Sequence, residues 1–87
     1  MVSVGARVVE IRKDVHRLLE LVENGFEGTD WTWGEFVNDW EKEFTLDVTG
    51  RARENRMWIP TDKQQSNIRR IVAKLEFRIG EIREFYS

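Results

Sequence analysis

The chain has 87 residues, of which 40% are hydrophobic and 34% are charged, and its formal net charge is −2. It is too apolar for a disordered chain and too charged for a membrane protein, and its length suits one domain over residues 1–87. Because it has no cysteine, disulfides, thiolate metal sites and cysteine nucleophiles are excluded.

The first predicted helix occupies about residues 3–24. Apolar residues recur there at alternating steps of four and three, which places them on one stripe of a helix. Asn24-Gly25 then provides a left-handed stop. The stripe consists of Val4, Val8, Ile11, Val15, Leu18 and Val22.

The second predicted helix occupies about residues 32–45. Thr32 as N-cap and Glu35 three residues later form a capping box, and Trp31 and Phe36 occupy the positions of a hydrophobic staple. Helical spacing places the apolar side chains on one side, which we expect to be part of the core, with an open aromatic groove as the alternative. These side chains are Trp33, Phe36, Val37, Trp40 and Phe44.

Residues 46–60 are predicted to form one long irregular loop, with Gly50 as its turn. The third predicted helix, about residues 62–86, follows Pro60 and begins with Thr61 as N-cap and Gln64 at the third helical position. Its apolar stripe has the same length as that of the first helix, so we expect the two helices to lie side by side. The predicted fold is therefore all-α, a compact bundle of three helices. The stripe consists of Ile68, Val72, Leu75, Ile79, Ile82 and Tyr86.

Charge is unevenly distributed along the chain. Residues 1–50 carry five Lys/Arg and eleven Asp/Glu, whereas residues 51–87 carry nine and five. Carboxylates at steps of four follow the second predicted helix and form what we call the acidic ridge: Glu35, Asp39, Glu43 and Asp47. Two interpretations remain open, a solvated helix face or a docking surface for a protein with a basic surface.

A basic set of residues follows the acidic half: Arg51, Arg53, Arg56, Arg69, Arg70 and Lys74. Arginines beside a tryptophan can bind phosphates and stack on bases. The sequence as a whole is acidic, however, which is unusual for a dedicated nucleic-acid-binding domain. Internal pairing with the carboxylates of helix two, nucleic-acid binding and binding to an acidic protein all remain open.

The third helix also has a notable outer face. Ala73, Phe77 and Gly80 lie opposite its apolar stripe. A glycine inside a helix costs about 1 kcal/mol relative to alanine, so it calls for a reason. We expect this face to form a homodimer contact; the alternative is that helix three packs within the monomer on both sides.

No set of residues in the sequence defines a catalytic site. His16, the one histidine, lies off the apolar stripe and is expected to be solvated. There is no phosphate-binding glycine loop and no nucleophile elbow, and a metal site would need carboxylates alone. We therefore expect no catalytic residues, no metal and no cofactor.

These patterns favour a non-enzymatic interaction module, such as an adaptor, a regulator or a small inhibitor. It would dock through the acidic ridge onto a protein with a basic surface. The alternative is a nucleic-acid-binding domain that uses the basic set. No apolar run approaches the roughly 18 residues that span a bilayer, and the start of the chain becomes charged too early for a signal peptide. We therefore expect a cytoplasmic location and no membrane partner.

Overall fold

Three α-helices form the fold. The computed structural model describes residues 4–86, with side chains from residue 8 to residue 85. The helices are α1 (Val4–Glu20), α2 (Asp39–Glu54) and α3 (Asp62–Tyr86), and no strand occurs in this described part of the chain. The predicted all-α bundle of three helices is confirmed. Residue 3, at which the first helix was predicted to begin, lies outside the described residues.

Two short turns complete the helical structure. A π-helical turn, Leu21–Gly25, continues α1, and a 3-10 turn, Trp33–Phe36, precedes α2. Between these turns, Phe26 is buried and stacks on Phe36 with 5.4 Å between ring centroids. Trp31 lies 5.6 Å from the same ring, in the arrangement predicted for the hydrophobic staple. The aromatic rings therefore fix the connection between α1 and α2.

Helices α1 and α3 lie side by side, as predicted, and run in the same direction. Arg69 Nε donates to Asp14 at 2.8 Å, and Arg17 Nε donates to Glu76 at 2.9 Å. Further along, a Cβ placed on Gly25 would lie only 3.0 Å from Ile79. Residue numbers rise together along both helices, which defines a parallel pair. The missing side chain at position 25 lets the two helices approach closely.

The core lies between these helices and one face of α2. Its largest fully buried apolar side chains are Leu18, Leu21, Ile68, Ile71 and Leu75. The described members of both predicted stripes are buried or half-buried, as expected. Leu21 and Ile71 belong to the core although they lie outside the predicted stripes.

The bounds predicted for the second helix were wrong. The capping box of Thr32 and Glu35 is present, but it caps only the 3-10 turn, because Val37 is extended at φ −127° and ψ 155°. A second capping box starts α2: Asn38 Oδ1 accepts from the Glu41 backbone N–H at 2.7 Å, and Glu41 Oε1 accepts from the Asn38 N–H at 2.9 Å.

Helix α2 also continues to Glu54, through most of the predicted irregular loop. The connection to α3 is therefore only residues 55–61, and Gly50 lies inside a helix instead of at a turn. The break before α2 also rotates its buried face away from the predicted aromatic stripe. The residues buried on α2 are Glu41, Thr45, Val48, Thr49 and Ala52.

The aromatic stripe predicted for the core is only partly buried. Trp33, Phe36 and Phe44 are half-buried and pack against the edge of the core. Trp40 was predicted to be buried but is 54% exposed. It precedes Glu41, which faces the core, and successive helical residues are rotated by about 100°. Trp40 therefore points to the side of α2.

Candidate functional site

The outward face of α2 carries a row of exposed carboxylates. Asp39, Glu43 and Asp47 recur at steps of four and lie opposite the buried residues of the helix. Because α2 is longer than predicted, Glu54 joins the same face. We call Asp39, Glu43, Asp47 and Glu54 the α2 acidic face. All four residues are exposed.

Glu35, the first residue of the predicted acidic ridge, is separated from the other three. It lies on the 3-10 turn, and its Oε2 accepts from the Thr32 backbone N–H at 2.7 Å and from the Thr32 hydroxyl at 3.2 Å. Its carboxylate therefore stabilises the start of that turn. The predicted ridge is not one continuous helical row at this end.

The carboxylates of the α2 acidic face differ in their partners. Asp47 accepts from Arg51 Nε at 3.1 Å, one helical turn away. Asp39, Glu43 and Glu54 have no hydrogen bond or ion pair to any side chain that the structure describes. Asp39 lies in the first turn of α2, where the helix dipole favours a negative charge. Three negative charges on this face therefore have no ion pair within the described part of the chain.

An aromatic pair borders the α2 acidic face. The rings of Trp40 and Phe44 stack with 5.3 Å between centroids and an interplanar angle of 13°. Glu43 follows Trp40 by three residues, so it is a neighbour on the helix surface. The sequence predicted Trp40 to be in the core, with an open aromatic groove as the alternative, and the structure leaves Trp40 exposed and Phe44 half-buried. The signal that could have revealed this exposure is the Asn38–Glu41 capping box, which sets the rotation of α2.

Most of the predicted basic set is paired within the chain. On α2, Arg51 pairs with Asp47 and Arg53 donates to Glu23 at 2.9 Å. On α3, Arg69 pairs with Asp14, and this hydrogen bond raises the pKa of the Arg69 guanidinium above its ordinary value. These side chains remain substantially exposed, so each pair contributes little to stability.

Arg70 and Lys74 converge on Glu41, the one charged side chain that is buried among residues 8–85. Lys74 Nζ donates to Glu41 Oε1 at 2.8 Å, and Arg70 Nε lies 3.9 Å from Glu41 Oε2. Glu41 is only 3% exposed. The hydrogen bond from Lys74 lowers the pKa of Glu41, against the opposite effect of burial, and the Asn38 N–H lowers it further. This ion pair ties α2 to α3.

Arg56 is the exception in the basic set. It has no ion pair or hydrogen bond with the described residues, and it lines a cavity of about 390 Å³ beside Arg53 and His16. Leu19 and Ala52 form the rest of the lining. The structure therefore brings Arg53 and Arg56 together near α1, whereas Arg69, Arg70 and Lys74 lie along α3.

The outer face of α3 is open, with Ala73, Phe77 and Gly80 all exposed. Phe77 leaves 66% of its surface accessible, and a Cβ placed on Gly80 would meet nothing within 4 Å. The alternative prediction, that helix three packs within the monomer on both sides, is therefore wrong for this face. The homodimer remains a prediction.

Comparisons with protein-family models, with curated proteins and with solved structures gave no match for this chain. Among the described residues, no group of three or more histidine, aspartate or glutamate side chains is placed to hold a metal ion. In the same part of the chain, none of the helices combines the length and apolarity needed to cross a membrane. The class defined by the fold is a small three-helix bundle with an exposed acidic helix face.

Proposed function

We propose that this chain is a non-enzymatic interaction module that docks through the α2 acidic face onto a protein with a basic surface. An adaptor, a regulator and a small inhibitor are all forms of this function. The observation that carries the proposal is that Asp39, Glu43 and Glu54 form no ion pair with the described residues, whereas Asp47 on the same face pairs with Arg51. A cationic partner would supply the missing counter-charges.

The aromatic border adds a second element of recognition. An arginine that pairs with Glu43 can also lie against the exposed ring of Trp40, because a guanidinium combines ion pairing with stacking on aromatic faces. The chain itself contains such a contact, with the Arg78 guanidinium carbon 5.8 Å from the centre of the Phe36 ring. We therefore propose that the partner presents arginines in preference to lysines.

Charge reversal tests this docking surface. The double variant Asp39→Lys/Glu43→Lys should bind a helical peptide with arginines at four-residue spacing at least about tenfold more slowly than the wild type, since like charges oppose the encounter. Surface plasmon resonance at two salt concentrations measures the association rate. The difference in association rate between the wild type and the double variant should be smaller at high salt, because exposed charges are screened.

The matched control changes the same amount of charge elsewhere. Glu10→Lys/Glu27→Lys alters two exposed carboxylates outside α2 and should leave the association rate within about threefold of the wild type, because local charge at the contact dominates steering. Circular dichroism must show that both double variants remain helical. An equal decrease of the association rate in the two double variants would mean that peptide binding depends only on the net charge of the chain. The docking proposal would then fail.

Nucleic-acid binding is the second candidate function. Its supporting observation is the cavity that Arg53, Arg56 and His16 share, because Arg56 has no ion pair or hydrogen bond there with the residues that the structure describes. It has less support than protein docking, since four of the six basic residues donate hydrogen bonds to carboxylates of the chain. The cytoplasmic location expected from the composition is compatible with both functions and stays a prediction.

A salt titration tests this second candidate. If Arg56 contacts phosphate, Arg56→Ala should weaken binding to an oligonucleotide and reduce the slope of log K against log salt by about one. Arg51→Ala, which removes an arginine already paired with Asp47, should change that slope less. Fluorescence anisotropy with single- and double-stranded oligonucleotides provides the measurement. No binding at low salt would eliminate this candidate.

A further inference from the structure

We propose that two copies of this chain associate through the outer faces of α3, with the two α3 helices antiparallel and Phe77 at the centre of the contact. The proposal is independent of the docking function, because it uses a different helix. It starts from an exposed phenyl ring: Phe77 is 66% accessible, although its burial would be favourable. Within the described part of the chain, the Arg78 guanidinium carbon lies 6.0 Å from the centre of the Phe77 ring, and two-thirds of the side chain still remains accessible.

The shape of this face suits a second helix. Ala73 and Gly80 lie one turn on either side of Phe77 and present no side chain beyond a Cβ. Position 80 is open to solvent, so within the monomer nothing requires the absence of a side chain there. A neighbouring helix gives the glycine a role, because without a Cβ its backbone can approach closely. The ring of one copy can then lie between the small residues of the other.

Charge along α3 selects the direction of the pair. Residues 62–74 carry four Lys/Arg and one Asp, whereas residues 75–86 carry three Glu and two Arg. A parallel pair would place the two basic halves together, but an antiparallel pair places each basic half against an acidic one. Complementary charge of this kind fixes orientation and excludes wrong arrangements. The α3 faces of two copies are therefore complementary in charge to each other, as a two-fold contact requires.

One cross-pair follows from the antiparallel alignment. Arg70 lies seven residues before Phe77 and Glu84 seven residues after it, each about 10.5 Å along the helix. With Phe77 at the two-fold axis, Arg70 of one copy faces Glu84 of the other, twice in the dimer. Arg70 can reorient towards this contact because its side chain is 60% exposed and lies 3.9 Å from Glu41, which Lys74 already holds.

Sedimentation equilibrium tests the association. The wild type should form a dimer with a dissociation constant on the order of 100 µM, as expected for one small helix contact. Phe77→Glu should raise that constant at least about tenfold, because it introduces unpaired charge at the centre. Met57→Glu, which also replaces an exposed apolar residue but lies outside α3, should leave it within about twofold, as surface substitutions away from a contact usually do.

Charge exchange then tests the alignment. Arg70→Glu and Glu84→Arg should each weaken the dimer, and the double variant should restore the wild-type constant, since the cross-pair is re-formed with its charges exchanged. A double variant as weak as the single variants would overturn the antiparallel arrangement. A wild type that remains monomeric at a concentration on the order of 1 mM would overturn the dimer itself. An unfolded Phe77→Glu protein would also do so, because Phe77 would then belong to the monomer core.

Discussion

Lys74→Met should lower the free energy of unfolding by about 3 kcal/mol at pH 7, because it leaves the Glu41 carboxylate buried without its closest cation. We take the lower end of the range for broken buried pairs, since Arg70 remains 3.9 Å from Glu41 and the Lys74 side chain is 42% exposed. Urea denaturation followed by circular dichroism measures the change.

Matched variants separate the loss of the pair from the loss of a lysine. Lys63→Met removes an exposed lysine from the same helix and should change stability by less than about 0.5 kcal/mol. Glu41→Gln/Lys74→Met should be more stable than Lys74→Met alone, because the buried group is then neutral and can still accept from the Asn38 N–H. A double variant as unstable as Lys74→Met would show that packing of the lysine stem dominates.

The same ion pair predicts a pH dependence with a definite sign. The pKa of Glu41 in the folded protein is lowered from its ordinary value of 4.5, chiefly by Lys74. The charged form therefore stabilises the fold fully above the unfolded value, and this contribution is lost as the pH falls through the lower folded pKa. The stability difference between the wild type and Glu41→Gln should accordingly shrink as the pH is lowered from 7 to below about 4.

The position of α3 and the end of the first helical segment could be predicted from local features of the sequence. The first helical segment ends at Gly25, next to the predicted position, but the left-handed stop predicted for Asn24-Gly25 was wrong, because among the described residues only Gly28 has a positive φ, of 80°. Thr61 with Gln64 starts α3, where both capping hydrogen bonds are present. Apolar residues also recur through these helices, so spacing alone located most of the core. The position of a helix with one strongly apolar face can therefore be predicted from the spacing of its apolar residues.

Helix α2 has neither a single start signal nor a strongly apolar face. Two capping boxes follow each other within ten residues, at Thr32–Glu35 and Asn38–Glu41, and the first gives only a 3-10 turn. The buried face of α2 is mostly polar or small, with Thr45 and Thr49 among its members. Hydrophobic spacing therefore stops after Phe44, although the helix continues for ten more residues. This is why residues 46–54 were predicted to be irregular.

Charge pairing could be predicted only where it is local. Asp47 and Arg51 are four residues apart on one helix, a spacing that permits an ion pair. Arg53 and Glu23 are separated by 30 residues, and Arg69 and Asp14 by 55, so their contacts depend on how the helices pack. The predicted basic set therefore mixed paired residues with Arg56. The acidic ridge likewise mixed a capping residue and the paired Asp47 with two carboxylates that have no ion pair among the described residues.

The polar core of α2 provides the final prediction. Thr45 is fully buried, and its hydroxyl has no hydrogen-bond partner among the described residues. Valine replaces the hydroxyl with a methyl group of similar size, so Thr45→Val removes an unsatisfied polar group without leaving a cavity. The variant should raise the free energy of unfolding by about 1–2 kcal/mol, the cost of burying an unpaired hydroxyl. Urea denaturation again provides the measurement.

Thr49 is the matched control, because it lies one turn further along α2 and is only 1% exposed. Its hydroxyl donates to the Thr45 carbonyl at 2.7 Å, so Thr49→Val loses a hydrogen bond that Thr45→Val does not. We therefore expect Thr49→Val to lower stability by about 0.5–1 kcal/mol. Opposite signs in two equally buried threonines would show that satisfaction of the hydroxyl, and not burial, decides the outcome. A destabilised Thr45→Val protein would mean that the Thr45 hydroxyl has a partner in the folded protein.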